Sequence, residues 1–167
     1  ENDVTVVTEY PNGATGSFIT CTHDPIGTDR LEIDLDGGKI VVDDSRTAKV
    51  YRLNKNEDEM NASMSMMDVA RLTSGNSAGG LFTVEEFENM DGWGKQHITV
   101  MENFALHVLE KTPLLAPGSD GINGVNLANA ILLSSWLGKE VDNPVDEDVY
   151  LEELNKKIAA EGKFPVR

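Results

Sequence analysis

Leu31, Ile33 and Leu35 alternate with Arg30, Glu32 and Asp34, the two-residue period of a strand with one face buried. Similar short runs surround it. Thr5 to Tyr10 leads into Pro11-Asn12-Gly13, whose Asn-Gly pair suits the positive φ angles of a hairpin turn, and Thr15 to His23 follows. Asp24-Pro25-Ile26-Gly27 breaks that second run. Asp36-Gly37-Gly38 turns the chain into Lys39 to Val42, and Lys49 to Leu53 adds a strand after Asp44-Ser45-Arg46. Connections this short favour antiparallel neighbours in a meander. Leu81 to Phe87 reads as a further strand with less regular alternation. Before it, Asn54 to Asn61 is polar and acidic, a loop or the start of a weak helix, and Ser74 to Gly80 reads as a flexible loop. Met60, Met64, Met66 and Met67 follow no clean period; such a cluster suits an irregular core better than a promiscuous binding surface.

The period changes after His97. Ile98, Met101, Ala105 and Val108 step by three and four, Phe104 and Leu109 widen the stripe, and Thr112-Pro113 ends the helix. Asp120 is placed to cap the next helix. There Val125, Ala128, Leu132 and Trp136 share one side, while Ala130 and Ser134 keep the other slim enough for close packing on a sheet. Gly138 suits its C-cap. Asp146 is placed to cap a third helix, whose Glu147 and Asp148 complement the N-terminal dipole and whose Tyr150, Leu154 and Ile158 step by four. Strands first and helices after predict the α+β class: an open-faced, mainly antiparallel sheet with helices packed on one face. A sheet with an uncovered face calls for a partner.

Composition narrows the partners. With 29 acidic against 14 basic residues the formal charge is -15. Such a surface repels nucleic-acid phosphates and anionic membranes alike. The length of 167 residues suits one domain with one substantial core. Cys21 is the only cysteine, so no internal disulfide exists, and its alternating position predicts a buried packing residue rather than a nucleophile or ligand. No apolar run approaches the roughly 20 residues needed to cross a bilayer, and no signal peptide is visible. Those features together imply a cytoplasmic protein. Because the first residue is Glu1 rather than Met, we expect the chain to be cut or processed from a longer one.

Motifs for chemistry are scarce. There is no G-x-G-x-x-G after a strand, and Gly75 to Gly80 lacks both that spacing and the lysine of a phosphate loop. No cofactor-binding residue is therefore predicted. Neither G-x-S-x-G, H-E-x-x-H nor C-x-x-C occurs, which removes a hydrolase elbow and a zinc motif. No catalytic and no metal residue is predicted. The histidines His23, His97 and His107 lie too far apart in sequence to suggest a local metal pair. His107 reads as a surface or boundary residue. His97 follows Trp93-Gly94-Lys95-Gln96 at a helix entrance, a position that suits a ligand contact or ordinary structural hydrogen bonding. His23 ends a strand where a sheet edge could face a cleft. Thus His97, Trp93 and His23 are the candidate substrate-binding residues.

The ordered series Asn103-Phe104-Ala105, Thr112 to Gly118, Gly121-Ile122, Leu127 to Ala130, Ser134 to Gly138 and Val141 to Pro144 resembles the closing segment of the Gfo/Idh/MocA family. That family holds the glucose–fructose oxidoreductase and inositol-dehydrogenase-like enzymes. Pro11 to Ala14 with Gly16, Gly27-Thr28, Arg30 to Ile33 and Gly38 to Ile40 are similar to its sheet pattern. The resemblance implies that residues 1–167 form a single C-terminal substrate-binding and oligomerisation domain. It implies a parent enzyme using NAD or NADP to oxidise or reduce a sugar or cyclitol, with an N-terminal nucleotide-binding domain not contained in these residues. The family's catalytic lysine, in a Glu-Lys-Pro motif, and its Asp/His pair lie upstream of this segment. Glu110-Lys111-Thr112-Pro113 is similar to that motif only superficially, since it ends a helix of the other domain. By itself the chain is expected to be inactive and to form a homo-oligomer through the open sheet face, around a small polyol substrate. A stand-alone polyol-binding module or oligomerisation scaffold is the competing reading. An unrelated enzyme acting alone lacks any acid–base constellation to support it.

Overall fold

The computed structural model describes residues 2–74, 80–88 and 94–161. Trp93 and most of the glycine-rich Ser74 to Gly80 stretch lie outside the described residues. Strands β1 (Asp3–Glu9) and β2 (Thr15–Cys21) form a two-stranded antiparallel sheet. Their turn has three residues rather than two. Pro11 has no N–H with which to close a two-residue turn, but its fixed φ suits the first position of a wider one. Gly13 donates to the Tyr10 carbonyl at 2.8 Å, Tyr10 donates to the Ala14 carbonyl at 2.9 Å, and Gly13 alone takes a positive φ, +87°.

The chain divides into two compact units, residues 1–4 with 20–93 and residues 5–19 with 94–167. The first unit holds a meander of β3 (Arg30–Leu35), β4 (Gly38–Asp43), β5 (Thr47–Leu53) and β6 (Phe82–Glu88), all antiparallel in chain order. The α+β class and the open antiparallel sheet are as the sequence predicts. Pairing of Ile33 with Ile40 and of Ile40 with Val50 gathers Leu31, Ile33, Leu35, Ile40, Val42, Val50 and Phe87 on one face. Val41 is buried on the other face, where Glu32 accepts from Arg30 at 2.5 Å and from Lys39 at 2.6 Å. The hydrogen bonds from Lys39 and then Arg30 hold the Glu32 carboxyl below the usual carboxylate range. The expected burial of Leu31, Ile33 and Leu35 is corrected: β3 is an edge strand, and these side chains are 41–57% exposed.

Gly38 opens β4 at φ +146°, and a Cβ there would lie 1.9 Å from the Tyr51 carbonyl oxygen. Only glycine lets β4 and β5 approach so closely. After β5 come two short helices, α1 (Glu57–Ser63) and α2 (Met66–Ser74). Asn56 caps α1, its Oδ1 accepting from the Glu59 N–H at 2.8 Å. Met60 and Met64 join Lys55, Leu72, Gly80 and Leu81 around a cavity of about 220 Å³. By contrast Met66 and Met67 are 89% and 66% exposed, so the core role expected of the methionines does not extend to them.

The second unit carries α3 (Lys95–Glu110), α4 (Gly121–Leu137) and α5 (Glu147–Glu161). Asp146 caps α5 as expected, its Oδ1 accepting from the N–H groups of Asp148 and Val149 at 3.0 and 3.1 Å. Gly138 ends α4 at φ +64°. Asp120 makes no side-chain cap bond. A 3-10 turn, Gly118–Asp120, runs straight into α4 and holds Asp120 at φ -70° and ψ -19°, helical rather than the extended geometry of a capping residue. On α4 the buried residues are Ala130, on the slim side that the sequence marks, and Leu133, whereas Val125 on the other side is 53% exposed. Trp136 stacks on Tyr150 of α5 with centroids 5.5 Å apart. No helix among the described residues is long and apolar enough to cross a membrane.

Candidate functional site

Helix α3 and the elbow that follows it enclose a groove of about 270 Å³, lined by Val100, Met101, Asn103, Phe104, Leu114 and Ala116. Helical spacing explains the wall: residues three and four apart share a side. That rule places His97 on the side of Val100, Met101 and Phe104, one turn nearer the helix start. Two polar side chains on α3 hold the elbow in place. Asn103 donates from Nδ2 to the Pro113 carbonyl at 3.0 Å and accepts at Oδ1 from the Leu115 N–H at 2.9 Å. One turn on, His107 Nδ1 stands 2.6 Å from the Thr112 carbonyl oxygen. A carbonyl only accepts, so Nδ1 carries the proton. The helix itself stops at Lys111, whose φ is +61° and whose N–H returns to the His107 carbonyl. Lys111 Nζ points back to the Val108 carbonyl at 3.4 Å, consistent with a helix-ending rather than catalytic lysine.

His97 lies in the first turn of α3, exposed, its N–H donating to the Gly94 carbonyl at 3.1 Å. His23 falls in the other unit, its Nε2 3.6 Å from Asp3 Oδ2. Trp93 lies outside the described residues. Sequence reasoning missed Asn103 and His107 as the residues that shape the groove. It also expected Cys21 to be buried; Cys21 is exposed, and among the described residues its strand β2 pairs only with β1.

The groove is mostly apolar, and the polar capacity of Asn103 is largely spent on the elbow. A polyol needs several convergent hydrogen-bonding groups. The six lining residues include no imidazole and no carboxylate, and His97 stands one turn toward the helix start, so this lining can hold and orient a ligand but supplies no proton relay. Among the described residues the strand-to-helix step from β5 to α1, Asn54-Lys55-Asn56, carries no glycine and so lacks the tight turn that aims N–H groups at a pyrophosphate.

Comparison with known families adds the identity of the fold. The model of the oxidoreductase family, C-terminal alpha/beta domain, matches residues 1–142. No curated protein matches the chain. The match spans strands β1 to β6, α3, α4 and the elbow, and α5 follows it. This chain belongs to that family.

Proposed function

We propose that this oxidoreductase-family domain completes the substrate pocket of an NAD(P)-dependent enzyme acting on a sugar or cyclitol hydroxyl or carbonyl. The family match over residues 1–142 carries the reading. The groove supports it, since an apolar wall without an acid–base pair is one part of a site rather than a whole one. A nucleotide-binding domain supplies the cofactor in this reading, and hydride passes between nicotinamide and substrate there. His97 and Trp93 are among the side chains that touch the substrate. For His23 the approach of Asp3 supports a different role.

Titrating NADH and NADPH into the chain calorimetrically tests the division of labour. No saturable heat in the micromolar range is expected, and a clear binding isotherm would overturn the reading. A second arm joins the chain to a nucleotide-binding domain encoded upstream in the same frame. Dehydrogenation of a polyol by the joined protein, weakened by His97→Ala mainly in KM, is the expected result. The absence of any such upstream domain would favour a stand-alone module.

A further inference from the structure

We propose that Asp3, Cys21 and His23 form a zinc site at the base of the first hairpin. The thiol sulfur, an imidazole nitrogen and a carboxylate oxygen all lie within 4.8 Å of one another. Strand pairing produces this convergence. Tyr10 bonds Ala14 at one end of the hairpin, and the Thr22 N–H bonds the Asn2 carbonyl at 2.8 Å at the other. Both pairs obey one register, which sets Asp3 of β1 opposite Cys21 of β2. Directly opposed residues point to the same face, and so do residues two apart on a strand. His23, two beyond Cys21, therefore joins them.

The donor set selects the metal. Thiolate, imidazole and carboxylate together suit zinc, whereas magnesium and calcium take oxygen ligands. Bonds of about 2.0–2.3 Å at a tetrahedral centre set ligand atoms roughly 3.3–3.8 Å apart. The His23–Asp3 separation of 3.6 Å already falls in that range. A zinc-bound thiolate stands roughly 3.5 Å from a nitrogen or oxygen ligand, so Cys21 has to close by at most about 1.3 Å, within reach of a side-chain rotation at an exposed position. A second cross-strand link, from Thr22 Oγ1 to Asn2 Oδ1 at 3.1 Å, keeps the two strand ends together beside the site. Three protein ligands leave a fourth position for water or for a donor from a partner. Zinc here fastens the hairpin base, joining chain positions separated by 18 residues.

The test is direct because Cys21 is the only thiol. Zinc titrated against a chromogenic competitor should bind at one ion per chain. Cobalt in its place should give thiolate-to-metal charge-transfer absorption. Cys21→Ser should abolish that band, and Cys21→Ser or His23→Ala should each weaken zinc binding at least about tenfold. The unmodified chain gives an independent reading: zinc, but not magnesium, should slow alkylation of Cys21 at least about tenfold. Zinc uptake unchanged by both substitutions, or alkylation indifferent to zinc, would overturn the proposal and assign any uptake to scattered surface carboxylates.

Discussion

Asn103 illustrates how a single side chain can shape a surface without touching a ligand. Its two ends are chemically distinct, and the elbow uses both, so only one orientation of the amide satisfies Pro113 and Leu115 together. Asn103→Ala removes both bonds and should destabilise the chain by about 1–2 kcal/mol; Asn103→Asp keeps the acceptor for Leu115 but sets a carboxylate oxygen against the Pro113 carbonyl, two acceptors facing each other, and should cost more. Thermal unfolding of the two variants checks this order, and equal losses would count against the assignment. The sequence marks Asn103 as part of a recognisable series but not as a clamp, because its partners lie 10 and 12 residues downstream across an irregular elbow. The Asp3–Cys21 pairing was hidden for a subtler reason. A two-residue Asn-Gly turn would set Asp3 opposite Thr22, and a one-residue slip moves every side chain to the other face. The missing N–H of Pro11 is the signal that decides between the registers.

At the level of elements, legibility follows how local the cause is. The strand Arg30–Leu35 is predicted to the residue because alternation is written into six consecutive positions. Helix α2 was missed, since its methionines follow no helical period, yet its start carries a readable signature. Ser65 accepts at Oγ from the Asp68 N–H, and Asp68 Oδ2 accepts in return from the Ser65 N–H, both at 3.3 Å. That reciprocal pair is a capping box with Asp in the usual Glu position. Adjacent glycines make the strongest prediction at this scale. Gly38→Ala meets the Tyr51 carbonyl at 1.9 Å and an unfavourable φ, whereas a Cβ on Gly37 meets nothing within 4 Å. Gly38→Ala should cost at least about 2 kcal/mol by breaking the β4–β5 approach. Gly37→Ala should stay within about 0.5 kcal/mol. Denaturant unfolding distinguishes them, and similar midpoints would refute the steric argument.

For the molecule as a whole, the apolar sheet face and the charge of -15 act against each other in self-association. Leu31, Leu35 and Phe87 on that face are 54–57% exposed, an arrangement that favours pairing with a second copy. Four strands about 4.8 Å apart, each six or seven residues long at about 3.3 Å, span roughly 400 Å². A stable interface covers about 800 Å² per partner. From the sheet face alone we predict a weak, concentration-dependent dimer rather than a permanent one. Two chains that each carry -15 also repel, and added salt screens that repulsion within about 10 Å at 0.1 M. Sedimentation at high micromolar concentration should show association that strengthens as salt rises. Leu31→Lys combined with Ile33→Lys should abolish it. Those lysines reduce the net negative charge and so ease the repulsion, which means that a monomeric variant can only reflect the lost apolar contact. A wild-type chain that stays monomeric at every salt concentration would remove the sheet face as a self-association surface.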